Sequence, residues 1–188
     1  IGSQIQVANL LRKNERYEAA LVCLARVLKL DPDNADALAS RGNSLAEVGR
    51  IEEGKADILR ALEIDNTHPA ASLQYCTNNK IKEDDPRAAS ITKNLEENDH
   101  TSADEMYLHF AVAKINMDLG DPQTAVQHLM KGNSMQNALE PYDEQAEISK
   151  IEAIKAYFEN APKIPQTEPS LPSTPIFVLG MPRSGTTL

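Results

Sequence analysis

Seven residues near the C-terminus, Pro182-Arg183-Ser184-Gly185-Thr186-Thr187-Leu188, combine the residue types that suit an oxyanion. The run before them, Pro175-Ile176-Phe177-Val178-Leu179-Gly180, is short, apolar, β-branched and aromatic, which predicts a buried strand. Met181 to Thr187 then reads as a tight turn, and Leu188 would open a helix. A strand, a Gly-containing loop and a helix start make a phosphate cradle. Loop N–H groups and the helix N-terminus point at the anion, while hydroxyls and a guanidinium add donors.

Gly180-x-x-x-x-Gly185 has the glycine spacing of the nucleoside-triphosphate P-loop. Thr186 stands where that loop has Lys, so a kinase or ATPase would lack the cation that reaches the outer phosphates. Arg183 lies inside the loop instead. The stretch Pro182–Leu188 resembles the 5′-phosphosulfate loop of sulfotransferases, which use 3′-phosphoadenosine 5′-phosphosulfate (PAPS). The version with Arg resembles protein-tyrosine sulfotransferases and a bacterial group whose sulfotransferase domain follows tetratricopeptide repeats. This resemblance implies PAPS as cofactor, with the N–H groups of Ser184, Gly185, Thr186 and Thr187 and the threonine hydroxyls on its 5′-phosphate. It implies a catalytic Arg183 near the bridging oxygen and the departing sulfonate. Charge grows on the leaving phosphate during sulfuryl transfer to a hydroxyl acceptor, so fixed donors there stabilise the transition state without a metal. The general base and the 3′-phosphate contacts are expected beyond Leu188, so the stretch as given is not expected to be active.

Composition narrows what the remaining residues can be. The net charge of −9, with no basic run, argues against nucleic-acid binding. Trp is absent and aromatics are 4%, a composition suited to packed helices. No apolar run approaches a membrane span, no signal-peptide pattern opens the chain, and Cys23 and Cys76 lack metal-type spacing. Two reduced core cysteines in a cytoplasmic protein are expected. The initial Ile suggests a fragment at that end as well.

The elements that must carry the loop show an internal period. Arg16-Tyr17-Glu18-Ala19-Ala20-Leu21 aligns with Arg50-Ile51-Glu52-Glu53-Gly54-Lys55, and Val27–Asp31 with Ala61–Asp65, each at an offset of 34. Small residues recur in register: Ala8, Gly42 and Cys76, then Ala20, Gly54 and Ala88. Two antiparallel helices need such residues where their axes come nearest. With Gly49 as a turn and Pro32 as a break, the pattern resembles the tetratricopeptide (TPR) family. Leu38 takes the place of a frequent Trp.

Helices are predicted over 4–13, 17–30, 36–47 and 52–64. A degenerate third unit follows, with helices over 69–78 and 87–97 and a weak joint at 81–86. The fourth unit places helices over 103–119 and 123–137, with His109 and His128 read as packed or surface residues and Met130 and Met135 as core filler. A helix over 143–160 presents Ile148, Ile151, Ile154 and Phe158 as one stripe, as a capping helix would. Five prolines between Pro162 and Pro175 predict a semi-rigid linker. The predicted fold is therefore all-α: a TPR-type helical-hairpin solenoid of about four repeats plus a capping helix over 1–160. The linker, 161–175, and one strand of an α/β domain, 176–188, follow.

A repeat array works by its concave face, lined by the first helix of each unit. Gln6, Asn9, Lys13, Ser40, Asn43 and Glu47 are the candidates for a protein or peptide partner. Asn9 and Asn43 resemble the paired asparagines with which some TPR domains grip a C-terminal carboxylate, but Ile5 and Ser40 stand where flanking cations or amides are wanted. Two functions remain open: the interaction domain of a PAPS-dependent sulfotransferase, or a TPR scaffold without enzymatic activity.

Overall fold

Short polar side chains set the helix starts by accepting N–H groups that the first turn leaves free. Asn34 accepts from Ala37 N–H at 2.9 Å, Asp85 from Arg87 at 2.9 Å, Thr101 from Asp104 at 3.2 Å and Asp121 from Thr124 at 3.1 Å. A computed structural model describes residues 1–160; the linker, strand and phosphate loop expected over 161–188 lie outside the described residues.

The described residues form α1 (Gly2–Lys13), α2 (Tyr17–Leu30), α3 (Ala35–Glu47), α4 (Ile51–Ile64), α5 (Pro69–Asn78), α6 (Pro86–Glu97), α7 (Ser102–Leu119), α8 (Pro122–Leu139) and α9 (Glu144–Asn160). The predicted boundaries agree with these to within two residues. No strand occurs among the described residues, so the all-α solenoid is the observed architecture there.

The 34-residue period is visible in the backbone. Arg16 N–H donates to Leu11 C=O at 2.9 Å, and Arg50 N–H donates to Leu45 C=O at 2.8 Å. Asp31 and Asp65 likewise close α2 and α4 on Val27 and Ala61. Gly49 turns the second hairpin with φ +81°, whereas its counterpart in the first is Glu15 at φ 59°, an unfavourable angle for a side chain with a Cβ.

Within residues 1–142, α1 packs on α2 and α3 on α4 as hairpins, and α2 meets α3 as α4 meets α5. The small residues sit where they are needed. A Cβ on Gly42 would come within 2.9 Å of Gly54 C=O, and one on Gly54 within 2.6 Å of Gly42 C=O. The first core gathers Ile5, Leu24, Leu38, Ile58 and Leu62. A second gathers Cys76, Ile81, Ile91, Leu108, Val112 and Ile115, and Tyr75 packs against both.

Three expectations require correction. The third unit is not a packed hairpin: α7 lies against both α5 and α6, which make no comparable contact with each other. Its connecting segment is nonetheless anchored. Ile81 is buried and donates its N–H at 2.9 Å to Asp118, a carboxylate also paired with Lys80 at 3.1 Å and with Lys114. Burial alone would raise the Asp118 carboxyl, but Lys114, the Ile81 N–H and Lys80 outweigh it and hold it at about 2. Met130, expected as core, is 68% exposed.

The chain divides after Tyr142, and α9 belongs to the second unit. Its stripe of Ile148, Ile151, Ile154 and Phe158 is present and exposed. No described helix is long and apolar enough to cross a membrane.

Candidate functional site

The first helices of the units are α1, α3, α5 and α7. Their facing side chains enclose a groove of about 190 Å³ within residues 1–142. Asn9, Ser40 and Asn43 from the predicted set line it, joined by Arg12, Asp36, His68, Asp104 and Tyr107, which sequence reasoning did not select. Gln6, Lys13 and Glu47 lie outside its lining and are exposed; Lys13 pairs instead with Glu140.

The groove's polar groups divide into those with partners and those without. Ser40 Oγ donates to Asn9 Oδ1 at 2.9 Å, which fixes the Asn9 amide across the α1–α3 seam. His68 accepts Ala71 N–H on Nδ1 at 3.3 Å, so its Nε2–H faces Asp36 Oδ1 at 3.2 Å. That hydrogen bond holds the Asp36 carboxyl below its ordinary value despite partial burial. Arg12 Nε and Asn43 Oδ1, by contrast, are shielded from solvent and have no hydrogen-bond partner among the described residues. A buried donor or acceptor left unpaired costs about 1–3 kcal/mol. A ligand that supplied an acceptor near Arg12 and a donor near Asn43 would recover part of that cost.

No group of three or more His, Cys, Asp or Glu suited to a metal occurs among the described residues. The half-buried Cys23 and the buried Cys76 are free thiols, and burial pushes Cys76 up to about 12, leaving it protonated and inert. The expected cofactor residues Arg183, Ser184, Gly185, Thr186 and Thr187 lie outside the described residues.

Arg12 lies one turn from Asn9 on the same face, but the repeat does not mark it, since Ala46 stands at its place 34 residues on. His68 was missed because it precedes α5 as its cap, and Asp104 and Tyr107 because the insertion before α7 breaks the register of 34.

A solenoid of helical hairpins with a polar inner groove defines the class: a helical repeat array. Residues 8–49 match a family model described as a TPR repeat, and residues 35–68 match one described as a tetratricopeptide repeat. The N-terminal hairpins are therefore tetratricopeptide repeats, which generally mediate protein–protein interactions. No curated protein matches the chain.

Proposed function

We propose that residues 1–142 are the protein-interaction domain of a PAPS-dependent sulfotransferase, and that the α1–α3–α5–α7 groove receives a segment of a protein or peptide partner. The observation that carries the binding role is the pair of enclosed, unpaired polar atoms, Arg12 Nε and Asn43 Oδ1, beside the fixed Asn9–Ser40 bond. An extended segment brings both an N–H and a C=O or carboxylate, which is the complement these groups lack. The sulfotransferase reading rests on Pro182–Leu188, with Arg183 as the catalytic residue and Ser184 to Thr187 holding PAPS. A cytoplasmic, bacterial setting and transfer to a hydroxyl acceptor belong to the same proposal.

The second reading is a TPR scaffold with no enzymatic activity. It rests on the tetratricopeptide repeats alone, which generally mediate protein–protein interactions. Titration of PAP, the product nucleotide, into the chain extended past Leu188 separates the two. Saturable binding that disappears with Arg183→Ala supports the enzyme, and no binding by a folded protein leaves the scaffold. The groove is tested by selecting peptides from a displayed random library on residues 1–142. Peptides whose binding is unaffected by both Arg12→Ala and Asn43→Ala would refute the groove as the binding site.

A further inference from the structure

His109 in α7 and His128 in α8 meet across their helix seam, Nδ1 to Nδ1 at 2.9 Å, with ring centroids 5.1 Å apart. His109 is 5% exposed. Two imidazole nitrogens at this distance must share one proton, because two lone pairs or two N–H groups facing each other repel. Glu105 Oε1, 3.6 Å from His109 Nε2, favours the Nε2–H tautomer of His109. His109 Nδ1 is then the acceptor, and His128 Nδ1–H is the donor.

Near this bond, the Phe110 ring covers Gly132, where a Cβ would come within 2.9 Å of it. Within residues 1–142, α7 is the main packing partner of α8, whose C-terminal end is also tied to α1 by the Lys13–Glu140 ion pair. Most of its attachment therefore depends on the α7 seam.

We propose that the His109–His128 bond is a pH-sensitive latch that fastens α8 to α7 near neutrality and releases it on acidification. A first added proton goes to His128 Nε2 and leaves the bond intact, since His128 Nδ1–H still donates. A second goes to His109 Nδ1, the acceptor, and sets two N–H groups and two cations against each other. The charged groups facing the pair are Glu105 from α7, Lys131 from α8 and Glu96 from α6; α5, which also packs on α7, carries no charged side chain. Burial, then the neighbouring His128 and Lys131, push His109 below the ordinary histidine value against the pull of Glu105. Burial and Lys131 do the same to His128 against Glu96. The folded chain thus takes up these protons less readily than the unfolded one. The stabilisation is present at neutral pH and is lost as pH falls below the ordinary value of 6.5.

The latch is independent of the groove and of any cofactor, and is tested on the whole chain. Long-range proton–nitrogen NMR of the imidazoles is expected to show complementary tautomers at neutral pH and two coupled titrations below the ordinary histidine range. Hydrogen exchange, corrected for the intrinsic rate, is expected to show protection of α8 amides falling about tenfold between roughly pH 7.5 and 5.5, with α1–α4 unchanged. In His128→Asn the amide cannot titrate and can turn its oxygen toward a protonated His109, so the pH dependence of α8 protection is expected to shrink. Independent titrations at the ordinary value overturn the proposal. So does an unchanged α8 protection in the parent, or an equal loss in His128→Asn.

Discussion

Replacing Gly54 with alanine tests the close approach that brings α3 and α4 together. The new Cβ would stand 2.6 Å from the Gly42 carbonyl oxygen and 3.4 Å from Ala46 N and Leu45 Cβ. A carbon needs roughly 3.3 Å from a carbonyl oxygen, so the helices must part by about 0.7 Å. The obstacle is backbone in the middle of a helix, which cannot swing aside as a side chain can. Overpacking of this kind costs about 1–3 kcal/mol, and the upper end applies here. Against it stands the better helix propensity of alanine, worth about 1 kcal/mol. The net expectation is a loss of about 2 kcal/mol. Because the chain has no Trp, urea unfolding is best followed by helical ellipticity. A variant as stable as the parent, or more stable by the propensity gain, refutes the contact.

Glu15→Gly should act in the opposite sense. Relief of the positive φ at this turn is expected to stabilise the chain by about 1 kcal/mol, and an unchanged melting temperature would refute the strain. Asp118→Asn removes the anchor of residues 80 and 81, with an expected loss of about 1–2 kcal/mol at neutral pH after allowance for screening around the exposed Lys80. Because the Asp118 carboxyl is lowered from 3.8 to about 2, its contribution is full above 3.8 and disappears as pH falls through about 2. A parent-minus-variant difference in urea stability that persists there contradicts the assignment. Of the two cysteines, only Cys23 should react with an aromatic disulfide in the native protein at neutral pH. Equal reaction of Cys76 would show that its pocket opens.

The hairpins were legible because a period leaves the same residues at the same places. The 34-residue offset located α1 to α4, and the small residues at Gly42 and Gly54 announced a contact that the structure shows as backbone against Cβ space. The groove was partly legible for the same reason. Asn9, Ser40 and Asn43 follow the repeat, whereas Arg12 is singular, His68 belongs to a cap, and Tyr107 follows an insertion. The Ile81–Asp118 bond spans 37 residues and involves a backbone donor, and no pattern of side chains records such a pairing. The segment therefore read as a weak joint. His109 and His128 sit on opposite arms of a hairpin, and their meeting depends on the angle and register at which α7 and α8 pack, which sequence spacing does not supply.

The two hydrophobic cores have a consequence for how the array comes apart. One side of α5 contributes Ala71 to the first core, and its later residue Cys76 belongs to the second. Neighbour-coupled arrays of this kind lose cooperativity where the coupling is thinnest. Two partly separate unfolding blocks therefore meet at α5. The groove straddles that line, taking Asn9, Arg12 and Asn43 from the first block and Asp104 and Tyr107 from the start of α7, which carries much of the second. An occupant touching both would act as a staple, binding only when both blocks are folded and fusing their separate transitions into one. Occupancy would then be readable without any label on the partner, as a sharpening of the melt.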